Sequence, residues 1–278
     1  MRTANLVIIA VLTFAPARGA LAQVTEPESG TVQEILLADG SVLYGWVLAD
    51  TDPMRFRLVS GDLLEVARGR VVKREAAPGR VVDGAFWRED PNQTRLFFGP
   101  TARGLARGKG YVAAYELFIP FMGIAVTDDL VLAGGTPAFG GMDDRPFWFA
   151  PKLRVFSGEK TDVAVGAMII AVEGESAGVL YGVATRGSAD LSGTLGLGYG
   201  FAGGGLADRP AVMAGFEARA SRTVKLVSEN YLFPGGAGLI SFGPRFFGER
   251  LSADLGLGVL FVGGESATFP IVNFVYVW

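Results

Sequence analysis

Leu191-Ser192-Gly193-Thr194-Leu195-Gly196-Leu197-Gly198-Tyr199-Gly200-Phe201 alternates between large apolar residues and small or hydroxyl-bearing ones. Successive side chains of a strand point to opposite faces, so Leu191, Leu195, Leu197, Tyr199 and Phe201 share one side. Ser192, Thr194, Gly196, Gly198 and Gly200 share the other. A soluble strand alternates too, but its water-facing side normally carries Lys, Glu and Thr. A second face made mostly of glycine and small residues suits a confined lumen better than open water. The pattern recurs where Leu255, Leu257, Val259 and Phe261 oppose Asp254, Gly256 and Gly258. It recurs again where Ile240, Phe242 and Phe246 oppose Ser241, Gly243 and Arg245. In Val163–Val172 both parities are apolar, so periodicity alone does not assign its faces.

Outward from this stretch, residues 93–278 divide into strand-like segments of about ten residues with turn signals between them. The expected strands are Thr94–Pro100, Tyr111–Val126, Leu130–Ala138, Phe147–Phe156, Val163–Val172 and Gly178–Thr185. They continue as Leu191–Phe201, Ala211–Ala220, Val224–Leu232, Gly238–Phe246, Ala253–Val262 and Phe269–Trp278. That makes twelve, and an even number lets both ends of a bacterial barrel lie on one side of the membrane. Long connections at Thr101–Gly110, Phe139–Pro146 and Ala202–Pro210 contrast with tight ones at Thr127–Asp129 and Ser221–Thr223. The expected fold is all-β: an antiparallel transmembrane β-barrel of about twelve strands behind a small β domain.

Composition agrees. Half of the 278 residues are hydrophobic and the mean hydropathy is +0.35. No apolar run approaches the roughly 20 residues a membrane-crossing helix needs. A closed barrel is the other structure that satisfies every backbone polar group in lipid. At the start, Arg2, the apolar run Leu6–Phe14 and Ala20-Leu21-Ala22 have the form of a signal peptide, residues 1–22, cut after Ala22. There are no cysteines, which excludes a disulfide framework and an N-terminal lipidated cysteine. There are no histidines either, so the commonest general base and metal ligand is missing. Gly196–Gly200 lacks the dinucleotide-binding spacing, and Gly104–Gly110 lacks that of a phosphate loop. The acidic pairs Asp128-Asp129 and Asp143-Asp144 read as solvated loops. We therefore expect no enzyme, cofactor, metal or nucleic-acid partner; the net charge of −3 agrees with the last.

Residues 31–75 read as a small β module. Ile35–Val47 forms a hairpin around Asp39-Gly40, the dipeptide preferred in type I′ turns. Phe56–Val59 and Leu63–Val66 form a second hairpin around Ser60-Gly61, and Val71-Val72 a last short strand. This pattern resembles the SH3-like or Sm-like small barrels of bacterial envelope proteins, which implies a periplasmic module. Residues 76–92, with Pro78, Gly79, Gly84 and Pro91, read as a linker.

The final strand places Val272, Phe274, Tyr276 and Trp278 on one parity. Aromatic rings suit a membrane interface. This ending resembles the C-terminal signal of outer-membrane β-barrels, which implies recognition by the barrel-assembly machinery. Asp90-Pro91-Asn92, Thr94–Phe98 leading into Pro100-Thr101, and Gly134-Gly135 resemble outer-membrane-barrel-like proteins of Gram-negative bacteria. That resemblance brings no activity with it.

Strand parity puts Arg95, Glu116, Lys152, Arg154 and Glu217 on the lumen face, together with Arg219, Lys225, Glu229, Arg245 and Asp254. Arg95, Arg154, Arg219, Lys225, Arg245 and Asp254 would fall in the periplasmic half. A basic ring would select anions in a pore. The near balance of signs favours a structural ion network that fills the barrel. The expectation is a monomeric barrel in the cell outer membrane, in contact with its lipid, with a passive role as narrow pore or anchor. Its N-terminal module would meet an envelope partner. The alternative is a soluble exported β-barrel that binds a lipophilic ligand.

Overall fold

The computed structural model describes residues 31–138, 146–172 and 174–278. The signal-peptide stretch 1–22 and Asp143-Asp144 lie outside them.

The N-terminal sheet consists of β1 (Gln33–Leu37), β2 (Val42–Ala49), β3 (Met54–Leu58), β4 (Leu63–Val66) and β5 (Val71–Ala76). Their order is β4-β3-β2-β1-β5, with a single 3-10 turn, Arg68–Arg70, between β4 and β5. Gly40 and Gly61 take positive φ in the two hairpin turns, where a side chain would be strained. Ile35, Leu37, Met54, Phe56 and Val66 form a small core of their own.

The segment expected as a linker is structured. β6 (Gly79–Val82) and β7 (Ala85–Arg88) form a hairpin whose Phe86 stacks on Tyr44 of β2 at 4.7 Å. The same hairpin reaches the barrel. Arg80 Nε lies 2.6 Å from Asp190 Oδ2, and the Arg219 guanidinium sits 5.4 Å over the Trp87 ring.

The barrel wall runs through β8 (Gly110–Tyr115), β9 (Ile119–Ala125), β10 (Leu130–Gly135), β11 (Phe147–Phe149), β12 (Lys152–Ser157), β13 (Thr161–Val172) and β14 (Glu175–Gly187). It continues through β15 (Leu191–Ala202), β16 (Gly205–Leu206), β17 (Ala211–Ser221), β18 (Val224–Leu232), β19 (Gly238–Phe247), β20 (Leu251–Val262) and β21 (Glu265–Val277). β11 and β12 both lie between β10 and β13 and act as one interrupted wall strand, while β16 only extends β15. Every neighbouring pair is antiparallel, and β21 pairs with β8 to close a ring of twelve wall strands. Trp278 donates its backbone N–H to Gly110 O at 3.0 Å at the seam. Closure leaves no long sheet edge to template aggregation.

The faces follow the alternation. Leu195, Leu257, Ile240 and Phe242 point outward and are each more than half exposed. Ser192, Thr194, Ser241, Ser252 and Asp254 point inward and are buried. Phe274, Tyr276 and Trp278 are exposed on the outer wall, with Val272 on the same parity.

Two expected strands differ. Thr94–Pro100 is not in the wall: apart from one isolated bridge, Arg95 to Pro100, it is irregular chain. Leu96 and Phe97 are fully buried inside the barrel. Tyr111–Val126 is a hairpin of two strands, β8 and β9, that turns at Glu116 and Leu117 with φ of 46° and 65°. The number twelve stands because these two differences cancel. Thr101–Gly110, expected as a long loop between wall strands, is instead the return from the lumen to β8.

Candidate functional site in the barrel lumen

The lumen is filled from one end by residues 90–103. Asp90, Asn92, Thr94, Leu96, Phe97, Thr101 and Ala102 are all buried. The chain enters beside the start of β18 and the end of β19 and turns at Phe97–Gly99. It leaves past Thr185, whose hydroxyl accepts the Ala102 N–H at 2.9 Å. Arg103, at the exit, donates to Ser188 O and lies 3.8 Å from Glu217 Oε2. We call this segment the plug.

Strand parity explains what receives it. Inward positions on β17 to β20 are Glu217, Lys225, Glu229, Arg245 and Asp254, each 1% exposed or less. Lys225 Nζ is 3.2 Å from Asp90 Oδ2 and 3.5 Å from Glu217 Oε1. Arg245 is the hub. Its Nε donates to Asp254 Oδ1 at 2.6 Å, its Nη1 to Asp90 Oδ2 at 3.3 Å and to Asn92 O at 2.9 Å. Its Nη2 donates to Leu96 O at 2.5 Å. A buried guanidinium is costly unless its fork is fully occupied, and here wall and plug occupy it together. Asp90 lies ahead of the first wall strand. Burial opposes its ionisation, but the Lys225 ammonium and the Arg245 guanidinium hold its carboxyl down, to about 2.

Glu229 holds the tip of the plug. It accepts the N–H groups of Phe98 and Gly99 at 2.9 and 3.0 Å and the Tyr231 hydroxyl at 2.8 Å. Asn273 Nδ2 donates to Phe97 O at 3.1 Å from the other side. Gly215 makes room: a Cβ there would stand 2.0 Å from Leu96 Cδ1.

Lys152 donates to three carbonyl oxygens, those of Thr94, Thr101 and Arg103, at 3.1, 3.0 and 2.8 Å. Arg154 sits nearer the rim, bonded to Asp129 at 2.8 Å. Arg219 donates to Ser221 O and Arg222 O in a turn and pairs with Asp190 at 3.6 Å. Arg95 does not belong to a wall strand. It rides on the plug, stacked over Tyr111 at 4.5 Å, and donates to the hydroxyls of Tyr111 and Tyr115. Glu116 is not on a lumen-facing strand; it occupies the β8–β9 turn, where its N–H donates to Asn273 Oδ1 at 3.2 Å. The arrangement is therefore one buried cluster of Glu217, Lys225, Arg245 and Asp254. Separate contacts are made by Glu229, Lys152 and Arg95, while Arg154, Arg219 and Glu116 lie apart. Asp90 and Asn92, expected in a linker ahead of the barrel, complete the cluster. Their only sequence signal is a charged residue followed by Pro91, which does not reveal burial.

Beyond the plug lies an apolar cavity of about 310 Å³, lined among others by Val131, Met168, Val179, Val183 and Met213. Its lining extends from Arg95 and Lys152 to Ala211 and Phe233, beside the connections at the opposite end of the barrel.

No protein-family model matches this chain, and no curated protein does. Among solved structures, it is similar to a KdgM porin in complex with disordered oligogalacturonate, at 9% identity and a TM-score of 0.47. That match covers 60% of this chain and 96% of the porin. The KdgM porin alone gives 9% identity and 0.46 over the same shares. A loop-deletion mutant of OmpT, an outer membrane protein of Vibrio cholerae, gives 10% identity and 0.37, over 89% of this chain and 96% of that one.

Proposed function

We propose that this chain is an outer-membrane β-barrel with a passive, non-catalytic role: a plugged barrel that holds a small periplasmic module at the membrane. One observation carries the reading. The outer wall of a closed barrel is a belt of exposed Leu, Ile and Phe, while the lumen is occupied by chain latched through buried ion pairs. In water that belt would be far larger than the few hundred Å² of contiguous apolar surface a soluble monomer tolerates. In lipid it is the expected surface. The latch supports a structural use of the lumen charges over an anion-selective ring, because each charge in the cluster has an opposite partner.

Trp278 and the β6–β7 hairpin meet the same end of the barrel. With the C-terminus on the periplasmic side, the module and plug face the periplasm and the apolar cavity faces outward. The order β4-β3-β2-β1-β5, with a 3-10 turn before β5, supports an SH3-like reading of the module. Its edges would then offer a site for an envelope partner. Val272, Phe274, Tyr276 and Trp278 would be read by the assembly machinery during insertion.

Membrane fractionation, then SDS gel mobility with and without boiling, tests the reading. The protein should sit in the outer membrane and shift on heating, and planar bilayers carrying it should show no steady conductance. Release into the soluble periplasm without detergent would overturn it in favour of a soluble carrier.

A further inference from the structure

The lumen contains two kinds of cation. Lys225, Arg245, Arg103, Arg154 and Arg219 each have a carboxylate partner. Arg95 and Lys152, which both line the apolar cavity, have none among the described residues. Lys152 is saturated by carbonyl oxygens of the plug. Arg95 is not saturated: its Nε is buried without a hydrogen-bond acceptor. Its other two nitrogens donate to the hydroxyl oxygens of Tyr111 and Tyr115. A phenol that accepts through oxygen still has its own proton to donate. Neither hydroxyl has an acceptor for that proton among the described residues. Arg95 and the Tyr111 hydroxyl therefore meet the base of the cavity as donors, and no carboxylate among the described residues pairs with Arg95. An unpaired buried charge is expensive, and the three aromatic rings around Arg95 offset only part of that cost. Above this base the walls are aliphatic and thioether: Met168, Val179, Val183 and Met213. The Glu229 carboxylate, on the same side of the plug tip, is engaged by Phe98, Gly99 and Tyr231.

We infer that this cavity binds a lipophilic monocarboxylate, a fatty acid of medium chain length. Its carboxylate meets Arg95 and Tyr111, and its chain runs among Val179, Val183, Met168 and Met213 towards Phe233. The carboxylate supplies the missing counter-charge and accepts the Tyr111 phenolic proton. The volume lies at the small end of ligand pockets, about 300–1,000 Å³, which excludes a whole phospholipid. The site goes beyond the anchoring role and stands whether or not the barrel conducts.

The probe is a decanoate with a photoreactive diazirine near its chain end, added to the full-length mature protein in nanodiscs and mapped by mass spectrometry after irradiation. Labelling should fall on cavity residues such as Val179 and Met213. Excess decanoate should abolish it, whereas decanol, with the same chain and no charge, should compete roughly tenfold or more weakly. Arg95→Gln should weaken labelling by a similar factor while the heat-induced gel shift persists, which separates loss of the site from loss of the barrel. If Arg95→Gln loses the gel shift, the decanoate and decanol comparison on the unaltered chain decides. Labels only on outward residues such as Leu195 and Leu257, or equal competition by decanol, would overturn the inference.

Discussion

Arg245 and Asp254 stand directly opposite each other on β19 and β20, with Nε 2.6 Å from Oδ1 and Nη2 3.1 Å from Oδ2. This two-point pair is made wholly within the wall, yet the same guanidinium also reaches Asp90, Asn92 and Leu96 of the plug. The wall pair thus pre-positions the group that receives the plug.

Asp254→Ala leaves Arg245 with one of its two principal carboxylate partners, and removing one member of a buried pair costs about 3–5 kcal/mol. We expect urea unfolding in detergent micelles to shift to lower denaturant by that order. Arg245→Leu combined with Asp254→Leu should be less damaging than the sum of the single changes. Strict additivity in that cycle would show that the two do not couple.

The plug should be acid-releasable. The Asp90 carboxyl is held below its ordinary range by Lys225 and Arg245, so it stabilises the plugged state above the unfolded value near ~3.9. That contribution is lost as pH falls from there towards about 2. Conductance should be absent at neutral pH and at pH near ~4, with brief openings only below that range. Asp90→Asn should open at neutral pH, and an Asp90→Asn barrel that stays closed would show that the latch lies elsewhere.

Gly215→Val would place branched carbons where Leu96 now packs. Overpacking of this kind costs about 1–3 kcal/mol. Limited proteolysis should cut the 90–103 segment faster in this variant, and Leu96→Ala should restore protection.

Leu257 lies on the outer wall near the middle of β20 and is 60% exposed. Leu257→Arg should cost about 2–4 kcal/mol of folding free energy in phospholipid vesicles if this face meets hydrocarbon. Ser241→Thr, on the lumen face, should be far milder. Equal tolerance of the arginine would point to a water-facing surface.

Deleting Trp278 removes both a ring packed against Gly110 and the two backbone bonds it shares with Gly110 at the seam. Outer-membrane levels in cells should fall. Refolding of the purified chain into detergent should survive, because five register pairs between β21 and β8 remain to close the ring. Loss of both would assign Trp278 to closure instead of recognition.

How far the sequence carries can be judged from particular segments. The alternation in β15, β19 and β20 was legible because a period of two is a property of the strand itself, independent of its neighbours. Thr94–Phe98 shows the limit. Its run of Leu96, Phe97 and Phe98 looks like a strand, but periodicity does not say whether apolar residues meet lipid, another wall strand or the inside of the barrel. The β8–β9 turn was hidden for a different reason. Glu116 and Leu117 take positive φ without the glycine or asparagine that normally marks such a turn.

By itself, the sequence determined the all-β character, the inward and outward faces of the most regular strands, and the absence of histidine and cysteine chemistry. These are local properties of composition and of one strand's geometry. The tertiary structure alone decided that the lumen is plugged, that Asp90 joins Arg245 across a separation of 155 residues, and that Arg95 and Lys152 have no carboxylate partner among the described residues. Each of those depends on which buried charges meet. Pairing in a low-dielectric interior is set by distances between chain segments far apart in sequence, and a strand's period carries no record of them.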